Sequence, residues 1–119
     1  VAAAELAEPI TAKGINGTVT FDGRMVTISH SGVMGRMTAG KGAKRVPVSS
    51  IAAVEWKPPS FGVRGFLRLT IPGGIERTSR VGKRTEDAAK DENSVVFGKT
   101  QLADFERVRA AMEGAIANR

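Results

Sequence analysis

Apolar residues recur at Leu102, Phe105, Val108, Met112 and Ile116, in steps of 3, 3, 4 and 4. That spacing follows the helical period and draws one apolar stripe over residues 101–117. Asp104, Glu106, Arg107, Arg109 and Glu113 fall on the other faces. Thr100 is placed to cap the first turn. Gly114 costs up to about 1 kcal/mol against alanine in a helix, so we expect fraying beyond it.

Upstream the period changes to two. In Gly17-Thr-Val-Thr-Phe-Asp-Gly-Arg-Met-Val-Thr-Ile-Ser29, a hairpin turn at Asp22-Gly23 sets Phe21 opposite Arg24 and Val19 opposite Val26. Val19, Phe21, Val26 and Ile28 then share one face, and Thr18, Thr20 and Thr27 the other. Further strands are expected over 44–48, 51–57, 65–71, 75–81 and 94–98. Pro47 suits an edge or bulge, and Ser49-Ser50 makes a corner. Val54 and Trp56 face inward, and Leu67, Leu69 and Ile71 share a side. The glycine-rich residues 31–43 and the charged residues 82–93 read as loops. Pro58-Pro59-Ser60 and Pro72-Gly73-Gly74 are stops. No internal repeat interrupts this order.

Seven short strands and one amphipathic helix form a mainly β, α+β domain: bent antiparallel sheets, or a partly open barrel, closed by the C-terminal helix. Residues 1–9 read as a flexible leader and 10–119 as a single domain. In Gly14-Ile-Asn-Gly-Thr-Val-Thr-Phe-Asp-Gly23, Arg45-Val-Pro-Val-Ser-Ser-Ile-Ala-Ala-Val54 and Asp91-Glu-Asn-Ser-Val-Val-Phe97, followed by the helix, the chain resembles bacterial pleckstrin-homology-like domains of unknown function, found mainly in actinobacteria. That resemblance implies seven strands in two sheets with a helix closing one end, and a binding or assembly module without catalysis or cofactor. Phosphoinositide-binding relatives carry a long basic loop between their first two strands. Here that loop is reduced to Asp22-Gly23, and no ligand residues carry over.

Composition narrows the chemistry further. The 119 residues include no cysteine and one histidine, which excludes disulfides and thiolate metal sites and fits a reducing cytoplasm. No apolar run approaches the roughly 18–20 residues that span a bilayer. The N-terminal segment is too short and too acidic for a signal peptide. The net charge of +6 favours anionic partners. Five Phe, one Trp and no Tyr make a poor platform for stacking bases.

Several motifs fall short of a site. Gly35-Arg-Met-Thr-Ala-Gly-Lys41 begins like a phosphate-binding loop, but Gly42 replaces the Mg²⁺-binding hydroxyl and no helix pattern follows. His30 has no partner at ligand spacing and reads as a surface or strand-end residue. Glu86, Asp87, Asp91 and Glu92 are interleaved with Lys83, Arg84 and Lys90, as in a solvated loop. Asn16-Gly17-Thr18 matches a glycosylation sequon, but reads more simply as a turn. No nucleophile elbow is present.

The expectation is therefore a non-catalytic protein-interaction or assembly module, with a protein partner or self-association, no cofactor, no metal and no catalytic residue. The alternative is peripheral binding of anionic lipid or nucleic acid through Lys44, Arg45, Arg64, Arg68, Arg77 and Arg80. Arg45 and Arg68 point outward, opposite in phase to their apolar neighbours. Phe66 and Phe61 are expected to lie exposed beside them.

Overall fold

A computed structural model describes residues 8–30, 43–72 and 92–118. The expected strand at 75–81, the glycine-rich loop over 31–42, residues 1–7 of the leader and most of the charged stretch lie outside the described residues. Two antiparallel sheets and one C-terminal helix make up the rest. The first sheet orders β1 (Ile10–Lys13), β2 (Gly17–Phe21), β3 (Met25–His30) and β4 (Ala43–Pro47) side by side. The second contains β5 (Ala53–Lys57), β6 (Gly65–Thr70) and β7 (Ser94–Phe97). Helix α1 runs from Leu102 to Ala117. Among the described residues the sheets do not close into a barrel. The arrangement is consistent with a pleckstrin-homology-like α+β fold.

The alternation over 17–29 places Val19, Phe21, Val26 and Ile28 on the buried face, as expected. The register differs from the expected one by two residues. Phe21 pairs with Val26 and Val19 with Ile28, so the chain reverses at Gly23-Arg24 rather than at Asp22-Gly23. The Asp22 side chain decides this. Its Oδ1 accepts the backbone amides of Arg24 at 2.9 Å and Met25 at 2.7 Å, and Gly23 supplies the positive φ of 101°. A shift of two preserves side-chain parity, so the inward face survives the slip.

β1 is a strand that sequence periodicity missed. Four residues are too few to reveal an alternation, and its inward residues, Ile10 and Ala12, take their places only opposite Phe21 and Val19. The loop between the first two strands is therefore 14–16, and the Asp22 hairpin joins the second strand to the third.

β4 lies at an edge of its sheet and carries Pro47. The Ser49-Ser50 corner is a 3₁₀ turn over Val48–Ser50, tied by the Val48 amide to the Arg24 carbonyl at 2.8 Å. β6 is central in its sheet and buried on both faces. Leu67 and Leu69 join the main core, while Phe66 and Val96 form a small cluster on the opposite side. Phe66 is thus buried, contrary to expectation, because a central strand has no solvent face here.

α1 lays Phe105, Val108 and Met112 on the sheets, with Leu102 and Ile116 half-buried at the ends of the stripe. The Phe105 ring stacks on Phe97 at 4.3 Å between centroids, and Trp56 tilts against Phe97 at 5.2 Å. Thr100 does not cap the helix. It lies in a 3₁₀ turn, Lys99–Gln101, in which Gln101 Oε1 accepts the Gly98 amide at 2.9 Å. The helix also continues through Gly114. Asn118 closes it by donating from its backbone and side-chain nitrogens to the Gly114 carbonyl. Among the described residues no helix is long and apolar enough to cross a membrane.

Candidate functional site

Three turns meet at one end of the molecule: 14–16 between β1 and β2, 58–64 between β5 and β6, and 98–101 before α1. Backbone pairing brings them together. Ile15 donates its amide to the Val96 carbonyl at 2.7 Å, and Gly65 pairs with Phe97 across the β6–β7 ladder. Gly14 accepts the close approach, since a β-carbon there would lie 2.6 Å from both Val95 Cγ1 and the Val96 carbonyl oxygen.

The 58–64 turn is a narrow finger. Ser60 and Val63 exchange two backbone hydrogen bonds, each of 2.9 Å, so the chain reverses over Phe61-Gly62. Gly62 takes a φ of +71°, a conformation that glycine adopts without strain. Phe61 stands at the tip with 95% of its surface exposed. At the base, Gly65 lets the strand pass under the prolines. A β-carbon on it would clash with the Lys57 carbonyl oxygen at 2.2 Å. Lys57 Nζ donates to the Arg64 carbonyl at 3.0 Å and ties the two sides of the finger.

Among the described residues, the large hydrophobic side chains left exposed are Ile15, Phe61 and Val63, and all belong to this end. Ile15 Cδ1 lies 3.8 Å from the place of a β-carbon on Gly98. Lys99 Nζ sits 5.8 Å from the centre of the Phe61 ring, within cation–π range. Lys13, Lys57 and Arg64 lie in or beside the same three turns, and segments 13–16, 57–65 and 97–101 contain no Asp or Glu.

The residues singled out from sequence do not gather in this way. Lys44 lies on β4 and is paired with Glu92 at 2.8 Å. Arg45, also on β4, is exposed and faces Thr27 across the ladder. Arg64 belongs to the finger. Arg68 does point away from Leu67 and Leu69, but it is buried at 8% exposure. Its Nε donates to Glu55 Oε2 at 2.7 Å, a second guanidinium nitrogen reaches the same oxygen, and the guanidinium Cζ lies over the Phe66 ring, 5.6 Å from its centre. Arg77 and Arg80 lie outside the described residues. The four described members thus divide between the first sheet's edge, the finger and the second sheet, and Lys44 and Arg68 are paired with carboxylates.

Two further residues sit differently than expected. His30 does end its strand but is buried, with Nε2 2.8 Å from the Ser94 carbonyl oxygen. Asn16 is buried too, with Oδ1 accepting the Val96 amide at 2.9 Å, so its side chain belongs to the interior and not to a glycan. Elsewhere, an open depression of about 320 Å³ is lined by Ser49, Ser50, Ile51, Ala52, Ile71 and Pro72. It presents two hydroxyls and no titratable side chain.

Phe61 was legible as an exposed aromatic. Ile15, Val63, Lys13, Lys57 and Lys99 were not, because only the fold makes neighbours of residues on separate turns. An apolar residue between Pro-Pro-Ser and Gly was the available signal, since turns rarely place Phe at the tip unless it packs or docks.

The described residues form a small, mostly β domain with a C-terminal helix, and their exposed large hydrophobic side chains gather at one end. The chain belongs to the family described as domain of unknown function DUF4429, whose model matches residues 19–113. That span holds the finger and Lys99 and leaves out β1 and the Ile15 turn. No curated protein and no solved structure matches the chain.

Proposed function

We propose that this chain is a non-catalytic interaction module of the bacterial pleckstrin-homology-like type, acting in the cytoplasm and docking through the end that carries Phe61. The observation behind this reading is the placement of Ile15, Phe61 and Val63. Scattered exposed hydrophobics need no explanation, but a cluster with a fully presented aromatic does. Among the described residues, seven strands in sheets of four and three, followed by a helix, support the fold assignment. The alternative of anionic lipid or nucleic acid binding through a basic face gains support at Arg64, which shares the docking end.

The test is site-specific photocrosslinking in the native host. A crosslinking side chain at position 61 is expected to yield discrete adducts. The same group at Arg24, exposed at the far end of β2, is expected to yield none. Equal labelling from both positions, or none from either, rejects the docking end.

A further inference from the structure

We infer that Asn16-Gly17 is a site of spontaneous covalent modification, at which deamidation of Asn16 parts the two sheets irreversibly. The fold gates the reaction. The inference is independent of the docking reading.

The sequence supplies the reactive pair. A glycine after asparagine hinders attack by its own amide nitrogen least, because it has no β-carbon and a freely turning backbone. Hydroxide takes the Gly17 amide proton, the nitrogen adds to Asn16 Cγ, and the bond from Cγ to Nδ2 breaks. Ammonia leaves with a proton returned by water, and a five-membered imide remains. One water then opens the ring. Cleavage between Gly17 N and Cγ gives aspartate. Cleavage between Gly17 N and the main-chain carbonyl carbon gives isoaspartate, whose chain runs through Cβ and Cγ. Water is consumed and ammonia released, with no oxidant or reductant.

The structure requires both members of this labile pair. A β-carbon at position 17 would lie 2.6 Å from the Ser29 carbonyl oxygen and 3.2 Å from His30 Cα, so the pairing of Gly17 with His30 needs glycine. Asn16 is needed beside it, since its Oδ1 accepts the Val96 amide at 2.9 Å. Ile15 donates its amide to the Val96 carbonyl at 2.7 Å, and His30 Nε2 donates to the Ser94 carbonyl at 2.8 Å. These three bonds run along β7 and fasten it to the first sheet and its β1–β2 turn.

Burial is the gate. Asn16 and Gly17 are both buried, so hydroxide reaches the Gly17 amide only when this junction opens. The rate then follows the population of the open form. Isoaspartate adds a methylene to the main chain and sets a carboxylate at a junction built for an amide, where an unpaired charge is costly. The β1–β2 turn can no longer fit against Val96, and a transient opening becomes permanent.

Incubation of the full chain at mildly alkaline pH, followed by peptide mapping for isoaspartate, tests the inference. Unfolded in urea, the chain is expected to react at Asn16 before Asn93 and Asn118, which precede Ser94 and Arg119. Folded, Asn16 should react roughly tenfold or more slowly, tenfold being about 1.4 kcal/mol of opening free energy. His30→Ala removes the neighbouring bond and keeps both reacting residues. Its folded form should react roughly fivefold faster than the parent. Urea below the unfolding transition should accelerate the parent likewise. In the purified isoaspartyl chain, the Val96 amide should exchange with deuterium roughly tenfold or more faster than in the parent.

The inference is overturned if no isoaspartate forms at position 16 in the unfolded chain, or if Asn16 reacts equally fast folded and unfolded. A folded rate insensitive to both His30→Ala and urea would remove the gate. An isoaspartyl chain that protects the Val96 amide like the parent would show that the sheets stay joined.

Discussion

The side chain of Asn16 accepts the backbone amide of Val96 at 2.9 Å, joining residues 80 positions apart and fastening the first sheet's β1–β2 turn to the last strand of the second. The bond is buried, so its loss leaves an amide without a partner away from water. Asn16→Ala is expected to destabilise the domain by about 1–3 kcal/mol. Urea titration measures this, and a change within experimental error would mean that the sheets are held together without the bond.

Phe105 is expected to be among the most costly positions to truncate. It is fully buried and stacks on Phe97, which in turn touches Trp56. Phe105→Ala removes one end of that aromatic row and should cost about 3–5 kcal/mol. Against a typical total of roughly 5–15 kcal/mol, this brings the domain near unfolding. Thermal melting followed by far-ultraviolet circular dichroism is the direct check.

Two glycines should respond in opposite directions. Gly65→Ala forces a β-carbon into the Lys57 carbonyl and the Pro58-Pro59 backbone, which must move, at a cost of about 1–3 kcal/mol. Gly114 lies in α1 with nothing within 4 Å of the added carbon. Gly114→Ala should therefore stabilise by about 0.5–1 kcal/mol, through the lower entropy of the unfolded chain and the better helix propensity. Matching denaturation midpoints for the two variants would refute the steric argument.

The Asp22 turn carries a pH dependence. The backbone amides of Met25 and Arg24 hold the Asp22 carboxyl below its ordinary value of 3.8, partial burial opposes them, and Arg45 adds a smaller attraction. A carboxyl lowered on folding binds fewer protons in the native state than in the unfolded one. Its stabilisation is therefore complete above the unfolded-state value and is lost as pH falls through the lower, folded one. Stability of the parent should decline between about pH 5 and pH 2 more steeply than that of Asp22→Asn. Parallel urea midpoints over that range would show that Asp22 contributes nothing to the acid limb.

The charged residues show why a surface is harder to read than a core. Arg68 lies opposite in phase to Leu67 and Leu69, and phase alone places it outward. Cross-strand pairing puts Glu55 beside it, and the outer face of β6 is itself buried, so the guanidinium becomes part of the interior. Replacing Arg68 would unsettle Glu55 and the fold together. Arg45→Gln is the cleaner probe of the exposed basic face.

Local periodicity by itself determined the helix face, the inward residues of the hairpin and the mostly β class. Each depends on side-chain spacing along one segment, which the backbone's fixed geometry translates directly into direction. Even the turn that slipped by two residues kept its faces, because parity is all that inward and outward require. The pairing of β1 with β2, the burial of Phe66, Arg68 and His30, and the approach of Ile15 to Gly98 and of Lys99 to Phe61 were decided only by the tertiary structure. In each case the deciding neighbour comes from another strand or turn, and nothing in the local spacing encodes which distant backbone will lie alongside.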